Sequence, residues 1–202
     1  EPRGGKRGAK ALDGLAGKIP RSAPSPEDQA WIAQWEEERG GYLSVVGKLS
    51  YLTDTTRPDL AYAVTRLQIR AHDFDKETCL AVDRVLRYLK ANPALGLCYS
   101  KGGEGQCCFH DQGGYNITQG ERPIIGWTDA SWANCELTRR SMTGYIFVFA
   151  GGPLSWRCRK LPFVSRSTAE SELVALDEAV REAISVRALG MELGIVGGDC
   201  IP

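Results

Sequence analysis

The chain has 202 residues, of which 43% are hydrophobic, so it can form one domain, or a domain with a smaller companion, around a buried core. Its 25 basic and 25 acidic residues cancel, which excludes a general electrostatic attraction to nucleic acid and leaves only local basic clusters for that purpose. The sequence has no run of about 18 apolar residues, and its Gly-rich start lacks the apolar core of a signal peptide. We therefore expect no membrane span and an intracellular location.

The first part of the chain divides into a lead-in and a helical segment. Residues 1–25 are rich in Gly, Pro and basic residues, which predicts a flexible lead-in. A helix start follows, with Ser25 as the N-cap and Pro26 at the first helical position. Apolar residues then recur at helical spacing in three more stretches, around Leu43 to Tyr51, Leu60 to Leu67 and Val82 to Leu89. Residues 26–92 are thus predicted to form a small helical domain.

Short apolar runs bounded by turn residues predict strands in residues 93–202. A first strand, Leu95 to Tyr99, and a hairpin partner, Gln106 to His110, are followed by a Gly- and Asn-rich loop over residues 111–123. Three more strands are predicted, the first ending near Asp129, the second at Tyr145 to Phe149 and the third around Leu154 to Trp156. We expect a mainly antiparallel sheet.

A long helix should cover this sheet from about Ser167 to Glu192, because the apolar period changes there from two to between three and four residues. We expect the large side chains of this period to form the buried stripe of the helix: Leu173, Leu176, Val180, Ile184, Ala188 and Met191.

Three carboxylates near these elements have different expected roles. Ser167 and Glu170 have the spacing of a capping box, so Glu170 has a sufficient structural explanation. Glu172 lies at the open end of the helix, and Asp129 lies at the end of a strand. We predict that these two converge and share a hard cation, whereas in an unrelated α/β domain both would be structural.

Several segments resemble the copia-type retrotransposon polyproteins, in the region that joins reverse transcriptase to ribonuclease H and continues into ribonuclease H. No single segment is specific, but their order is. They are residues 42–52, 55–64 and 85–90 in the helical part, then the strand ending in Thr128-Asp129-Ala130, Arg139-Arg140-Ser141, Leu154-Ser155-Trp156, and Ser167-Thr168-Ala169-Glu170-Ser171-Glu172-Leu173.

The resemblance implies an α/β fold with a ribonuclease H-like mixed sheet and a covering helix, of which only the front half is present. A helical connection domain precedes it. The intact family hydrolyses the RNA strand of RNA–DNA hybrids with two Mg²⁺ or Mn²⁺ ions. Asp129 and Glu172 would be the catalytic, metal-binding carboxylates. The location implied is a cytoplasmic particle or the nucleus, and the partners are the hybrid and the rest of the polyprotein.

One departure from the family concerns the carboxylate that a further strand delivers after the long helix. Here the sequence ends at Gly197-Gly198-Asp199-Cys200-Ile201-Pro202, and Asp199 is too close to the helix to take that role. We therefore expect weak metal binding and an incomplete site, so whether the chain is an enzyme stays open. The alternative is a non-catalytic remnant or a domesticated binding or scaffold module.

Two groups of basic residues are the candidates for contact with backbone phosphates, one in the loop entering the second strand and one between the third strand and the long helix, with a solvated surface as the equal alternative. They are Arg139, Arg140, Arg157, Arg159, Lys160 and Arg166.

Overall fold

The computed structural model describes residues 24–99, 124–135 and 138–195. The predictions for residues 1–23, for the hairpin partner at 106–110, for the loop at 111–123 and for Asp199 lie outside these residues. The described elements are α1 (Pro26–Arg39), α2 (Tyr42–Thr55), a short 3-10 helix (Pro58–Leu60), α3 (Ala61–Ile69), α4 (Lys76–Ala91), β1 (Ile124–Ser131), β2 (Met142–Phe149), β3 (Gly152–Lys160) and α5 (Thr168–Glu192).

Helix α1 begins and ends as its sequence predicts. The Ser25 hydroxyl accepts a hydrogen bond from the Asp28 backbone N–H at 3.1 Å, and Pro26 occupies the first turn, where no N–H is needed. The helix ends at Gly40, whose φ of 79° is easily adopted only without a side chain. The predicted N-cap, Ser25, is confirmed, and Gly40 is the C-cap.

The helical segment has its own apolar core around Tyr42, which is fully buried. Its ring stacks on Phe74 with 4.4 Å between centroids, and its hydroxyl donates to the Leu67 carbonyl at 3.0 Å. Val64 of α3 and Val82 of α4 are buried in the same core. The helices of this segment therefore share one apolar core, and the predicted domain bounds at residues 26 and 92 stay a prediction.

An ion pair fixes the entry to α3. The buried Arg57 guanidinium donates to both carboxylate oxygens of Asp59, at 3.0 and 2.9 Å, and to the Asn92 carbonyl at 3.2 Å beyond the end of α4. These bonds to Arg57 hold the pKa of the Asp59 carboxyl below its usual value. The Arg57 side chain thus joins the start of α3 to the end of α4.

The sheet has the order β1-β2-β3, with both pairs antiparallel. Asp129 is opposite Gly144, and Tyr145 is opposite Arg157, so the three strands after residue 123 are confirmed. Strand β1 is an edge of the described sheet. Gly126 allows a close approach, because a Cβ at this position would stand 2.3 Å from the ring of the buried Phe147.

The predicted strand at Leu95 to Tyr99 is wrong, since the described chain there has no strand pairing. This segment instead crosses the start of β3. Tyr99 donates its hydroxyl proton to the Pro153 carbonyl at 2.6 Å, and the Cys98 carbonyl lies 2.5 Å from where a Cβ on Gly152 would be. Pro153 has no N–H to donate to a neighbouring strand, which disfavours a ladder at this edge.

The predicted buried stripe of the long helix is also wrong. Helix α5 turns its small residues to the sheet, and Ala175 is 2% exposed, whereas Leu176 is 49% exposed. The buried positions of α5 are Ser171, Ala175, Ala179, Val186 and Gly190, and the exposed ones include Leu173, Leu176, Val180, Ile184, Leu189 and Met191. The small residues let the helix approach closely enough for Thr128 of β1 to donate its hydroxyl proton to the Ala175 carbonyl at 3.1 Å. Large side chains on that face would prevent this contact.

The helical segment lies on the other face of the sheet. Trp156 of β3 donates its indole N–H to the Thr53 carbonyl at 2.8 Å, and Thr65 of α3 donates to the Cys158 carbonyl at 3.1 Å. The described molecule therefore has three layers: the helical segment, the sheet and α5. No helix among the described residues is both long enough and apolar enough to cross a membrane.

Candidate metal and nucleic-acid site

Glu172 is positioned by the start of α5. The Ser167 hydroxyl accepts from the Glu170 N–H at 3.1 Å, and the Glu170 carboxylate accepts from the Arg166 N–H. The capping role of Glu170 is confirmed, although its carboxylate reaches one residue further back than the expected N–H of Ser167. Glu172 takes no part in this cap and is exposed in the first turn.

Two contacts fix the start of α5 against the end of β1. The Ser171 and Ser141 hydroxyl oxygens are 2.9 Å apart, next to Met142, which is opposite Ser131 at the end of β1. One turn later, Ala175 accepts from Thr128. Because α5 runs antiparallel to β1, Glu172 lies at the end of β1 that also carries Asp129.

The side chain of Asp129 leaves β1 on the face opposite α5. Strand side chains alternate, and Thr128 is the residue that contacts the helix. Glu172 lies about 100° around the helix from the buried Ser171. On the far side of that helix, Glu178 pairs with Arg159 of β3, so Glu172 lies toward the β1 edge of the described sheet. An ion shared by the two carboxylates would therefore sit beside this edge, and the predicted sharing stays a prediction.

The donor set suits a hard cation. Asp129 and Glu172 are both exposed and supply carboxylate oxygens, the ligands that Mg²⁺ and Mn²⁺ prefer. Among the residues that the structure describes, no group of three or more His, Cys, Asp and Glu side chains is placed to hold a metal. Two carboxylates fit an ion that keeps most of its water.

The basic residues do not form one patch. Arg157 and Arg159 lie on the face of β3 toward α5, whereas Lys160 alternates to the face of the helical segment. The Arg159 guanidinium forms an ion pair with the Glu178 carboxylate of α5, which partly neutralises its charge. Arg157 stays exposed.

The remaining candidates lie in loops near the start of α5. Arg139 and Arg166 are exposed, and Arg140 is half-buried. Arg139 has a φ of 54°, in the left-handed region that few residues other than glycine adopt. The predicted phosphate contacts stay predictions, with Arg139, Arg157 and Arg166 the most accessible of the six.

Sequence reasoning missed a cluster of buried serines beside the two carboxylates. Ser141, Ser165 and Ser171 are each at most 3% exposed, and their hydroxyls converge. The apolar period gives no signal for such a cluster, because serines are small and are mostly found at the surface. Two of the three serines do lie in the segments that carry the family resemblance, Ser141 and Ser171.

The helices and the three-stranded antiparallel sheet define an α/β protein. The chain is 34% identical over 165 residues to the Retrovirus-related Pol polyprotein from transposon TNT 1-94 of Nicotiana tabacum. It is 31% identical over 173 residues to that from transposon RE1 of Arabidopsis thaliana. These alignments cover 79% and 86% of this chain but 11% of each polyprotein.

A third relative is much shorter. The chain is 38% identical over 143 residues to the Secreted RxLR effector protein 161 of Plasmopara viticola. This alignment covers 71% of this chain and 89% of that protein. No family model and no solved structure matches the chain. The chain belongs to the copia-type retrotransposon Pol polyproteins, as a fragment of one.

Proposed function

We propose that the chain is the connection segment and the front half of the ribonuclease H region of a retrotransposon reverse transcriptase polyprotein. The observation that carries the proposal is the contact between Thr128 and Ala175, which brings the start of α5 to the end of β1. The contact supports the proposal because it sets the start of α5, which carries Glu172, over the end of β1 that carries Asp129. The intact protein would hydrolyse the RNA strand of RNA–DNA hybrids.

Within that function, Asp129 and Glu172 would hold Mg²⁺ or Mn²⁺. The bound metals supply an activated water and neutralise charge on the leaving oxygen. The two carboxylates of this chain would hold the ion through their oxygens beside the β1 edge of the described sheet. The exposed Arg139, Arg157 and Arg166 would receive phosphates of the hybrid backbone.

The partner that completes the site would be the rest of the polyprotein. Around α5, Glu178 and Glu182 contact Arg159 and Ser155 of β3, so the exposed apolar stripe about half a turn away lies toward the β1 edge of the described sheet. An edge strand of the described sheet beside an exposed apolar stripe favours a strand with a covering element as the occupant. A carboxylate from that strand would lie beside Asp129.

The test compares the 202-residue chain with a version extended by the downstream coding sequence, on a labelled RNA–DNA hybrid in Mg²⁺ and in Mn²⁺. We expect the short chain to be inactive or nearly so, and the extended chain to cleave the RNA strand. Asp129→Asn and Glu172→Gln should each abolish cleavage by the extended chain, whereas Asp177→Asn, on the exposed side of α5, should not. An extended chain that cleaves equally well without Asp129 contradicts the proposal.

A second candidate is a non-catalytic remnant or a domesticated binding or scaffold module. The effector relative favours it, since 89% of that protein aligns with this chain and its name is not that of a polyprotein. Fluorescence of Trp127 and Trp132 during Mg²⁺ titration, with hybrid-binding measurements, separates the two. A module of this kind would bind its partner equally well after Asp129→Asn.

A further inference from the structure

Ser141 is the centre of a cluster of buried hydroxyls between the end of β1, the start of β2 and the start of α5. It is 0% exposed. Its hydroxyl oxygen accepts from the Ala133 N–H at 3.1 Å and lies 2.9 Å from the Ser171 oxygen and 3.3 Å from the Ser165 oxygen. Ser171 in turn donates to the Ser167 carbonyl at 3.3 Å.

Each serine hydroxyl has one proton, and Ser141 can donate its proton to the Ser165 oxygen at 3.3 Å or share a hydrogen bond with Ser171 at 2.9 Å. In either arrangement the Ser141 oxygen accepts from the Ala133 N–H. Replacing Ser141 by an apolar residue would leave the Ala133 N–H without this acceptor, and buried polar groups are costly to leave unpaired.

The groups that Ser141 joins are the supports of the two carboxylates. Ala133 follows the end of β1 with a φ of 49°, a left-handed turn that needs local support in a residue with a side chain. Ser171 directly precedes Glu172 in α5. Trp132 belongs to the same cluster, since its indole N–H donates to the Ser165 carbonyl at 3.2 Å. One hydroxyl therefore ties the turn after Asp129 to the turn that carries Glu172.

We infer that Ser141 is a positioning residue that sets the separation of the Asp129 and Glu172 carboxylates for a shared ion. The inference rests on the proposed function, because it takes these carboxylates as the ligands. Outer partners that orient metal ligands typically change metal affinity by 10- to 100-fold when they are removed. Ser141 acts through both supports and touches neither the ion nor the substrate.

The experiment measures Mn²⁺ affinity of the full 202-residue chain by electron paramagnetic resonance of the free ion, and hydrogen exchange at the Ala133 amide. Ser141→Ala should weaken Mn²⁺ binding by roughly ten-fold or more and speed the exchange. The matched control is Thr53→Val, which removes another buried hydroxyl, bonded to the Leu49 carbonyl in α2 at 2.9 Å. Thr53→Val should change neither quantity, even where it lowers the midpoint of unfolding equally.

Glu172→Gln separates the failure of this inference from failure of the proposed function. If Glu172→Gln weakens Mn²⁺ binding while Ser141→Ala leaves it unchanged, the carboxylate is a ligand and the positioning role is overturned. If Glu172→Gln and Asp129→Asn both leave binding unchanged, the ion site itself is wrong and the inference falls with it. Equal losses from Ser141→Ala and Thr53→Val would show a general effect of stability and would also overturn it.

Discussion

Leu176 and Ala175 are neighbours in α5, one exposed and one buried. Comparing the single substitutions Leu176→Ala and Ala175→Leu tests which face of the helix is buried. Leu176 is 49% exposed, and Ala175 is 2% exposed against β1. We expect Leu176→Ala to cost little free energy of unfolding. Ala175→Leu should cost more, because the added atoms must enter the space between the helix and the sheet.

The magnitudes follow from burial. A fully buried Leu→Ala change costs about 2–5 kcal/mol, part of which comes from the cavity left behind. Half of Leu176 already contacts solvent, so no sealed cavity forms and about 1 kcal/mol or less is expected, reduced further by the higher helix propensity of Ala. Overpacking at Ala175 should cost about 1–3 kcal/mol.

Urea unfolding followed by circular dichroism measures both changes in the same chain. A loss above about 2 kcal/mol for Leu176→Ala, with no loss for Ala175→Leu, would refute the assignment of the buried face. The same pair in the extended protein adds a second comparison. If a downstream element covers the stripe there, Leu176→Ala should cost as much as a buried leucine, while the effect of Ala175→Leu should be unchanged.

Three further outcomes are expected. Gly126→Ala should cost about 1–3 kcal/mol of unfolding free energy in urea, because its Cβ would meet the Phe147 ring. Gly47→Ala, at an exposed and open helical position, should stabilise the chain by about 0.5–1 kcal/mol. Equal effects of the two changes would contradict the close approach at Gly126. Asp59 has a lowered pKa in the folded chain, so its contribution to stability is present above about pH 4 and is lost as the pH falls through the folded pKa. Asp59→Asn should lower the free energy of unfolding at pH 7 and reduce the loss of stability in acid. An unchanged dependence of stability on pH would contradict the pairing of Asp59 with Arg57. Burial raises the pKa of the Cys79 thiol to about 11, so little reactive thiolate is present at neutral pH. Peptide mapping after iodoacetamide treatment should therefore find Cys79 unmodified until urea unfolds the chain. Rapid labelling of Cys79 in the native state would be inconsistent with its burial.

Local signals predicted most of the fold. Ser25 and Gly40 end their helix through bonds to nearby backbone, and the strands after residue 123 lie between turn residues. Such signals act over a few residues, so a single sequence contains them. The start of α5 at Ser167 was predictable for the same reason.

The buried face of α5 was not predictable in this way. The helix has two periodic faces, a large apolar one that includes Leu176 and a small one that includes Ala175, and periodicity alone favours the larger. The choice depends on the close approach of the helix to β1, where the Ala175 carbonyl lies 3.1 Å from the Thr128 hydroxyl oxygen, and small residues on that face permit this approach. A contact between residues 47 positions apart has no local signature.

The residues of the candidate site stay a prediction, and their geometry could not be predicted from the sequence. Family resemblance selects Asp129 and Glu172, but the side of the sheet that each faces depends on register and on rotation of the helix. The hydroxyl of Ser141 was missed, because its role depends on burial between elements that are distant in sequence.

Two features of the described residues lie on one side. β1 is an edge of the described sheet, and the exposed apolar face of α5 lies toward that edge. The two carboxylates lie at the end of the same edge. A strand that paired with β1 would therefore bury apolar surface and approach Asp129 at the same time. Completion of the sheet and completion of the metal site would then be a single event, and stability and Mn²⁺ affinity should rise together when the downstream sequence is added.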